Sequence, residues 1–422
     1  MGKIKSIGIV NILFAFVLIS FVLPPQILNP ICLGILFSFG LVRKVITRKN
    51  FETNHFNKVS FYFIFYFVIL LSSLLYSEDL RKGIGVIGGS LSYFIVPFIP
   101  LFFSKEDVDL KFITKFYLNL ICILFFVLFF VAVYKNYQEG YTLEYVLNSL
   151  SGTDVIETGK YRYINYWYFI YDKFASPIDM QPIYLGMFTN LALVFLLFSK
   201  GDIKEVFFNI KLGILSCFIL LLASRSQILI FIFNYLIFIV FFDKSKFWDK
   251  IPFLMFFPTI FFALAFTNPV MRTRISEAFS YKEAFYEDSF GGTSLRIKKW
   301  KSAVRTIKNS PFIGFGVGDG KNELMKQYKI DKFYLGYYNK FNAHNQYLDT
   351  VLYVGVFGLI AIFLIFYYSY VDSVDNPVLL FISNIFGIGF ITESMLNRQW
   401  GIIAFAFFLI IFSTFKLNKS DS

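Results

Sequence analysis

Histidine is nearly absent from this chain: 422 residues hold two, His55 and His344, beside three cysteines and four tryptophans. Cys32, Cys122 and Cys217 all fall inside apolar stretches. Neither a disulfide framework nor the paired Cys/His spacing of a zinc site can be drawn from so few residues, and the cysteines read as buried thiols. Acidic residues are also short, 28 against 40 Lys and Arg, and no Asp-x-Asp stands in a context that would hold a hard cation. The chemistry expected is therefore metal-independent and free of cofactors. Charge of either sign is scarce, at 16%, while hydrophobic residues make up 57% and Phe alone counts 59. An ordinary soluble domain is excluded by that balance.

Apolar runs fill the space that charge leaves. Several reach the roughly 20 residues a membrane-spanning helix requires. The pattern predicts an all-α, polytopic membrane protein, residues 1–422 forming one transmembrane domain of about 12 helices. The first span centres near Phe14, with no small-residue cleavage site after it, and the last near Phe407. The surplus of basic residues could suggest nucleic acid, but the charges cluster between apolar runs, so membrane lipids and phosphate-bearing substrates are the expected partners.

Basic residues also orient the chain. Arg43, Lys44, Arg48 and Lys49, then Lys105 and Lys111, Lys200 and Lys204, Lys244, Lys246 and Lys250, and finally Lys416 and Lys419 occupy alternate connections. With twelve spans all lie on one side, the cytoplasm. Arg81 and Lys82 are the exception. His55 then reads as a solvated cytoplasmic residue, and Lys211 as a lysine near a cytoplasmic helix end, snorkelling outward.

Two long segments fall outside: residues 135–182, rich in Tyr, Asn and Gly, and residues 268–345. Aromatic, polar loops suit carbohydrate, although interfacial anchoring accounts for part of the first. The second carries 14 Lys and Arg against 7 Asp and Glu, a positive block that needs a use. Within it, Thr293 or Ser294 can cap a helix ending before Pro311, with Ile297, Trp300, Val304 and Ile307 on one face and cations over the rest. That reads as an amphipathic helix lying on the membrane surface. The glycine-rich run Phe312-Ile313-Gly314-Phe315-Gly316-Val317-Gly318-Asp319-Gly320 lacks the Lys-Ser/Thr ending of a phosphate loop, and a turn is the safer reading.

Few residues remain to carry chemistry. Arg225, flanked by Ser224 and Ser226 in a short outward turn, offers a fork-shaped guanidinium to phosphate oxygens; a helix-end arginine reaching to headgroups is the plainer alternative. Arg296 opens the amphipathic helix, as a ligand or as part of a solvated cationic face. His344 stands where the polar segment meets an apolar helix, with Asn342 and Asn345 beside it. An imidazole there can accept a proton near neutral pH, or simply cap the helix. Glu393 and Arg398 bracket the turn between the last two spans, either pairing with each other or leaving Glu393 to orient a catalytic group.

Taken in order, Ser224-Arg225-Ser226, Leu295-Arg296 with Trp300, Pro311 to Gly316, and His344-Asn345-Gln346-Tyr347-Leu348 before Gly355 and Gly358 resemble the O-antigen ligase and O-antigen polymerase superfamily of bacterial envelope proteins. The likeness covers roughly residues 205–370. Gln181 before Pro182 departs from many polymerase-like relatives, which carry His there. The resemblance implies a GT-C-type glycosyltransferase in the bacterial inner membrane with its active site facing the periplasm. Its donor would be a glycan on undecaprenyl diphosphate, and its acceptor a growing glycan (polymerase) or lipid A-core (ligase). Arg225 and, less directly, Arg296 would hold the diphosphate, and His344 would take the acceptor proton. A chain-length regulator would be a partner of a polymerase. A lipid-linked glycan flippase is the competing class, but it should place ionisable groups at mid-membrane. Here they gather on one face.

Overall fold

The computed structural model describes residues 8–48, 50–139, 166–243 and 293–416, with a few more between 255 and 263. Several expectations lie outside the described residues: the span near Phe261, the lysines at 244–250, Lys419, residues 140–165 of the first long loop, residues 268–292 of the second, and the capping side chains of Thr293 and Ser294. Among the described residues the protein is helical, without a strand. Its longer helices are α1 (Ile9–Val22), α2 (Leu28–Thr47), α3 (Lys58–Ser72), α4 (Leu80–Ser90), α5 (Leu110–Gln138), α6 (Pro182–Phe198), α7 (Glu205–Leu221), α8 (Arg225–Ile237), α9 (Thr293–Ile307), α10 (Gly320–Ile330), α11 (Gln346–Asp372), α12 (Val378–Thr392) and α13 (Gln399–Thr414).

Six helical segments are long and apolar enough to cross a membrane: 28–47, 58–76, 80–102, 110–138, 225–242 and 346–372. The bent pair 171–178 and 182–198 makes a seventh if it counts as one span, and α1, α12 and α13 are shorter apolar helices. By contact density the chain divides into two compact units, residues 1–114 with 281–422, and residues 115–280.

In the first unit α13 is apolar all round and buried almost end to end, as a central helix must be. Phenylalanines surround it: the Phe405 ring lies 5.0 Å from that of Phe63 on α3, 5.0 Å from Phe390 and 5.2 Å from Phe386 on α12. Asn57 caps α3 by accepting from the Ser60 N–H at 2.9 Å and ties it to α13 by donating to Ser413 Oγ at 2.7 Å. His55 is buried rather than solvated: its Nδ1 lies 3.1 Å from the Pro100 carbonyl and its ring packs edge-on against Phe415. The chain folds this connection back under α13, which loop position alone does not reveal.

In the second unit α6 is the buried helix. Asn190 on α6 donates to the backbone and side-chain oxygens of Gln227 on α8, at 3.0 and 2.9 Å. Lys211 is half-buried rather than free in solvent, its Nζ donating to Asn119 Oδ1 on α5 at 2.7 Å.

The glycine-rich run positions the chemistry, and it does so as a splice. Helix α11 breaks at Val354 (φ −132°) and Gly355 (φ +66°). The loop 311–316 inserts there: Phe315 N–H donates to Leu352 O and Gly316 N–H to Tyr353 O, each at 2.9 Å, and Val356 N–H donates to Pro311 O at 3.0 Å. These bonds give partners to the Leu352 and Tyr353 carbonyls and to the Val356 N–H at the break, as buried backbone requires. Beyond it, the Asp319 carboxylate accepts from the Glu78 and Asp79 N–H groups at 2.6 and 3.2 Å. The N-terminal part of α11 is thereby fixed against α9 and α10.

Helix α9 forms where expected but buries a different face. Leu295, Lys299, Ser302, Ala303 and Thr306 are buried, whereas Val304 is 44% exposed and Ile297, Trp300 and Ile307 are only half-buried. Small side chains at 302, 303 and 306 let α9 approach α10 and α11 closely. The core beneath it consists of Leu324, Tyr328, Phe333, Ala343 and Leu352.

Candidate active site

Residues 342–349 enter α11 through a turn that hydrogen bonds hold on both sides of His344. Asn345 caps the helix, its Oδ1 accepting from Leu348 N–H at 3.0 Å while its Nδ2 donates to Ile391 O at 3.0 Å. Asp349, buried in the first turn, accepts from Ala343 N–H at 3.2 Å and from Asn397 Nδ2 at 2.9 Å. Gln346 Oε1 accepts from Leu396 N–H at 2.7 Å, and Ser394 Oγ accepts from Asn345 N–H at 3.2 Å. This polar lattice locks the start of α11 to the turn between α12 and α13. Within it His344 takes the left-handed conformation, φ +48°, uncommon for a residue with a side chain. Such a residue persists only where its surroundings over-determine it.

The result of that backbone is a histidine–carboxylate pair. His344 Nδ1 donates to Glu393 Oε2 at 2.9 Å. The side chains are 29% and 12% exposed, so the pair sits at an opening rather than in bulk water. Burial pushes the Glu393 carboxyl up, but the hydrogen bond and charge of His344, the Ser394 N–H and the Arg296 guanidinium outweigh it, and the net direction is down. Glu393 is therefore ionised at neutral pH and can only accept. Nδ1 must then carry the proton, and in the neutral imidazole Nε2 keeps its lone pair.

Helix α9 supplies cations. Arg296 is half-buried, and its charge acts on both Glu393 and Lys299. The Lys299 ammonium lies 3.9 Å from the centroid of the Phe341 ring, and that ring stands edge-on to His344 at 6.3 Å. Burial lowers the Lys299 pKa to about 8; Glu393 opposes the shift and Arg296 adds to it. Trp300 Nε1 faces the His344 carbonyl at 3.5 Å, too far to count for much.

Of the residues singled out from sequence, His344, Asn345, Glu393 and Arg296 come together here. Arg398 is exposed, and Glu393 pairs with His344 instead of with it. Lys299, Asp349, Gln346, Ser394 and Asn397 were not anticipated. An acid five residues past His344, in an otherwise apolar helix, was the one available signal.

In the second unit, Ser224 is the N-cap of α8 and Arg225 its first residue. Ala223 precedes them with φ +47°, Ser224 and Ser226 are buried, and Arg225 is half-buried. The guanidinium thus shares the helix start with backbone N–H groups that have no intrahelical acceptor, a setting that favours an anion. Gln181 is the exposed N-cap residue of α6.

Chemically, the first-unit site offers a proton acceptor at His344 Nε2, a fixed carboxylate behind it and two cations beside it. Residues 211–363 match the family model described as O-Antigen ligase, a segment that includes Arg225, Arg296 and His344 and stops short of Glu393. No curated protein matches the chain.

Proposed function

We propose, from the match of residues 211–363 to the O-Antigen ligase family model, a metal-independent, GT-C-type glycosyltransferase that moves a glycan from an undecaprenyl-diphosphate donor to a sugar hydroxyl. In this reading His344 Nε2 takes the hydroxyl proton as the acceptor oxygen bonds to the anomeric carbon. The bond from that carbon to the diphosphate oxygen breaks, and the electron pair leaves with the diphosphate. Glu393 holds the imidazole in the tautomer that leaves Nε2 free and stabilises the imidazolium that forms. Arg296 is assigned to the charge that builds on the leaving group, and in the second unit Arg225, by its motif, to donor phosphate. Preorganised cations lower such a barrier without reorganising at the moment of reaction. The leaving group is neutralised by arginines, so the step calls for no metal. The acceptor is a growing glycan or a lipid A-core sugar, and the site faces the periplasmic side of the inner membrane.

The observation that carries the proposal is the His344–Glu393 pair at 2.9 Å, with Arg296 and Lys299 of α9 acting on Glu393. Purified protein in nanodiscs, given lipid-linked donor and acceptor, tests it. A general base contributes about 10²–10⁴-fold, and His344→Ala should lose that factor while keeping its melting temperature. Near-normal transfer by a folded His344→Ala protein would return His344 to a capping role.

A further inference from the structure

The positive block of the large loop is only partly used by this site. Five lysines, Lys82, Lys321, Lys326, Lys329 and Lys340, line a single groove of about 720 Å³ formed by the start of α4, by α10 and by the short helix Tyr334–Tyr338 with the residues after it. That volume falls within the roughly 300–1,000 Å³ of small-ligand sites. The groove is organised: Lys82 Nζ donates to Asn322 Oδ1 at 3.0 Å, and the Lys329 ammonium lies 4.4 Å from the Tyr337 ring centroid. Among the described residues acids answer part of this charge: Glu323 pairs with Lys326 at 2.5 Å, and the charges of Glu78 and Asp319 act on the same lysine. Lys326 is 69% exposed, so that pair is weak and easily exchanged. Lys321 is pushed down by its burial and by the positive charges of Lys82, Lys340 and Arg398, with Asp349 opposing. Like charges held together in this way lose free energy that an incoming anion restores. Lys321 thus feels the charges of Asp349 and Arg398, which lie outside the groove's lining.

Tyrosine decides which anion fits. Tyr337 and Tyr338 line the wall, and Tyr338 is 75% exposed. A concave wall that alternates ammonium groups with flat aromatic faces suits sugar rings bearing acidic groups. A membrane surface is met best by a flat basic face instead.

We propose that this groove binds an anionic oligosaccharide, its carboxylates or phosphates on the lysines and a sugar face on Tyr338. That the occupant is the transferred glycan rests on the glycosyltransferase reading; the binding itself does not.

The test measures binding without transfer. Full-length protein in nanodiscs of zwitterionic lipid is titrated with fluorescent hexagalacturonate and, separately, with maltohexaose of the same length. Hexagalacturonate should bind and weaken steadily with salt, and maltohexaose should not. The triple variant Lys326→Glu, Lys329→Glu, Lys340→Glu, all exposed positions, should bind hexagalacturonate at least about tenfold more weakly, the loss that three exposed ion pairs together supply. Tyr338→Ala should weaken binding without changing its salt dependence. Binding is read with neither donor nor transfer, which separates failure of the groove from failure of the catalytic reading. Equal affinity of wild type and the triple variant, or no binding of hexagalacturonate, overturns the proposal. So does a protein that ignores the sugar but gains affinity for phosphatidylglycerol vesicles through the same lysines, since the surface would then be a lipid contact.

Discussion

Replacing Glu393 with glutamine isolates what the carboxylate does for His344. The two side chains are nearly the same size. What changes is one charge and one acceptor. The 2.9 Å contact lies within the range of charge-assisted hydrogen bonds. Converting such a bond (about 1.5–3 kcal/mol) into a neutral one (about 0.5–1.5 kcal/mol) removes about 1–1.5 kcal/mol, roughly tenfold in rate. That is the loss if the amide oxygen faces Nδ1. If the amide NH₂ faces it, the imidazole must hold its proton on Nε2, where it can no longer accept, and the loss can approach about 10⁴-fold. The effect should fall on kcat, with the KM for donor little moved, because Glu393 meets the imidazole and not the substrate in this reading. Glu393→Asp should recover part of the activity. In the His344→Ala background, Glu393→Gln should cost nothing further, since residues acting as one unit are strongly non-additive. The assay is steady-state transfer from lipid-linked donor by the four proteins of the cycle. A Glu393→Gln enzyme within about twofold of wild type would refute the positioning role, and additive losses across the cycle would refute the pairing.

Two further outcomes test the scaffold and its charges. Gly355→Ala places a Cβ at φ +66°, against the Phe312 carbonyl, so it should expel the spliced loop and lower stability by at least about 2 kcal/mol; an unchanged melting temperature would dismiss the splice. For Lys299, ¹³C-methyl NMR of the reductively methylated protein should show one lysine titrating near pH 8 and vanishing in Lys299→Met. Because the folded value lies below the unfolded one, the unfolded chain binds more protons between about pH 8 and the ordinary lysine value, and this group's contribution to stability rises with pH across that window. A resonance that titrates only at the ordinary lysine value would mean the ammonium is solvated rather than packed over Phe341.

Local information carried much of this protein. Apolar runs separated by basic turns dictate helices, because in lipid each backbone group must be satisfied within its own segment. The scarcity of histidine singled out His344, and the order of the Arg225, Arg296 and His344 motifs marked the family that residues 211–363 match. Helix α9 was legible as a helix, but not the face it buries. Periodicity ranks residues by hydrophobicity, whereas close approach to α10 and α11 is decided by the small side chains of Ser302, Ala303 and Thr306, which such a ranking passes over. The glycine-rich run was legible as a turn. That it fills a break in α11 depends on three hydrogen bonds to residues some forty positions away, which no local pattern encodes.

The partner of His344 was the furthest from view. Glu393 lies 49 residues along the chain, and sequence offered it equally to Arg398. Only the register of α11 against the turn after α12, pinned by Asn345, Gln346 and Asp349, brings the carboxylate to Nδ1 and leaves Arg398 exposed. Lys299 read as one more cation on a solvated face, and burial between Phe341 and the α10 core is what lowers its pKa. Sequence thus determined the membrane-spanning character and which residues were available for chemistry. Tertiary structure decided their pairing, protonation and burial, because those depend on distances between segments that hydrophobic periodicity does not measure.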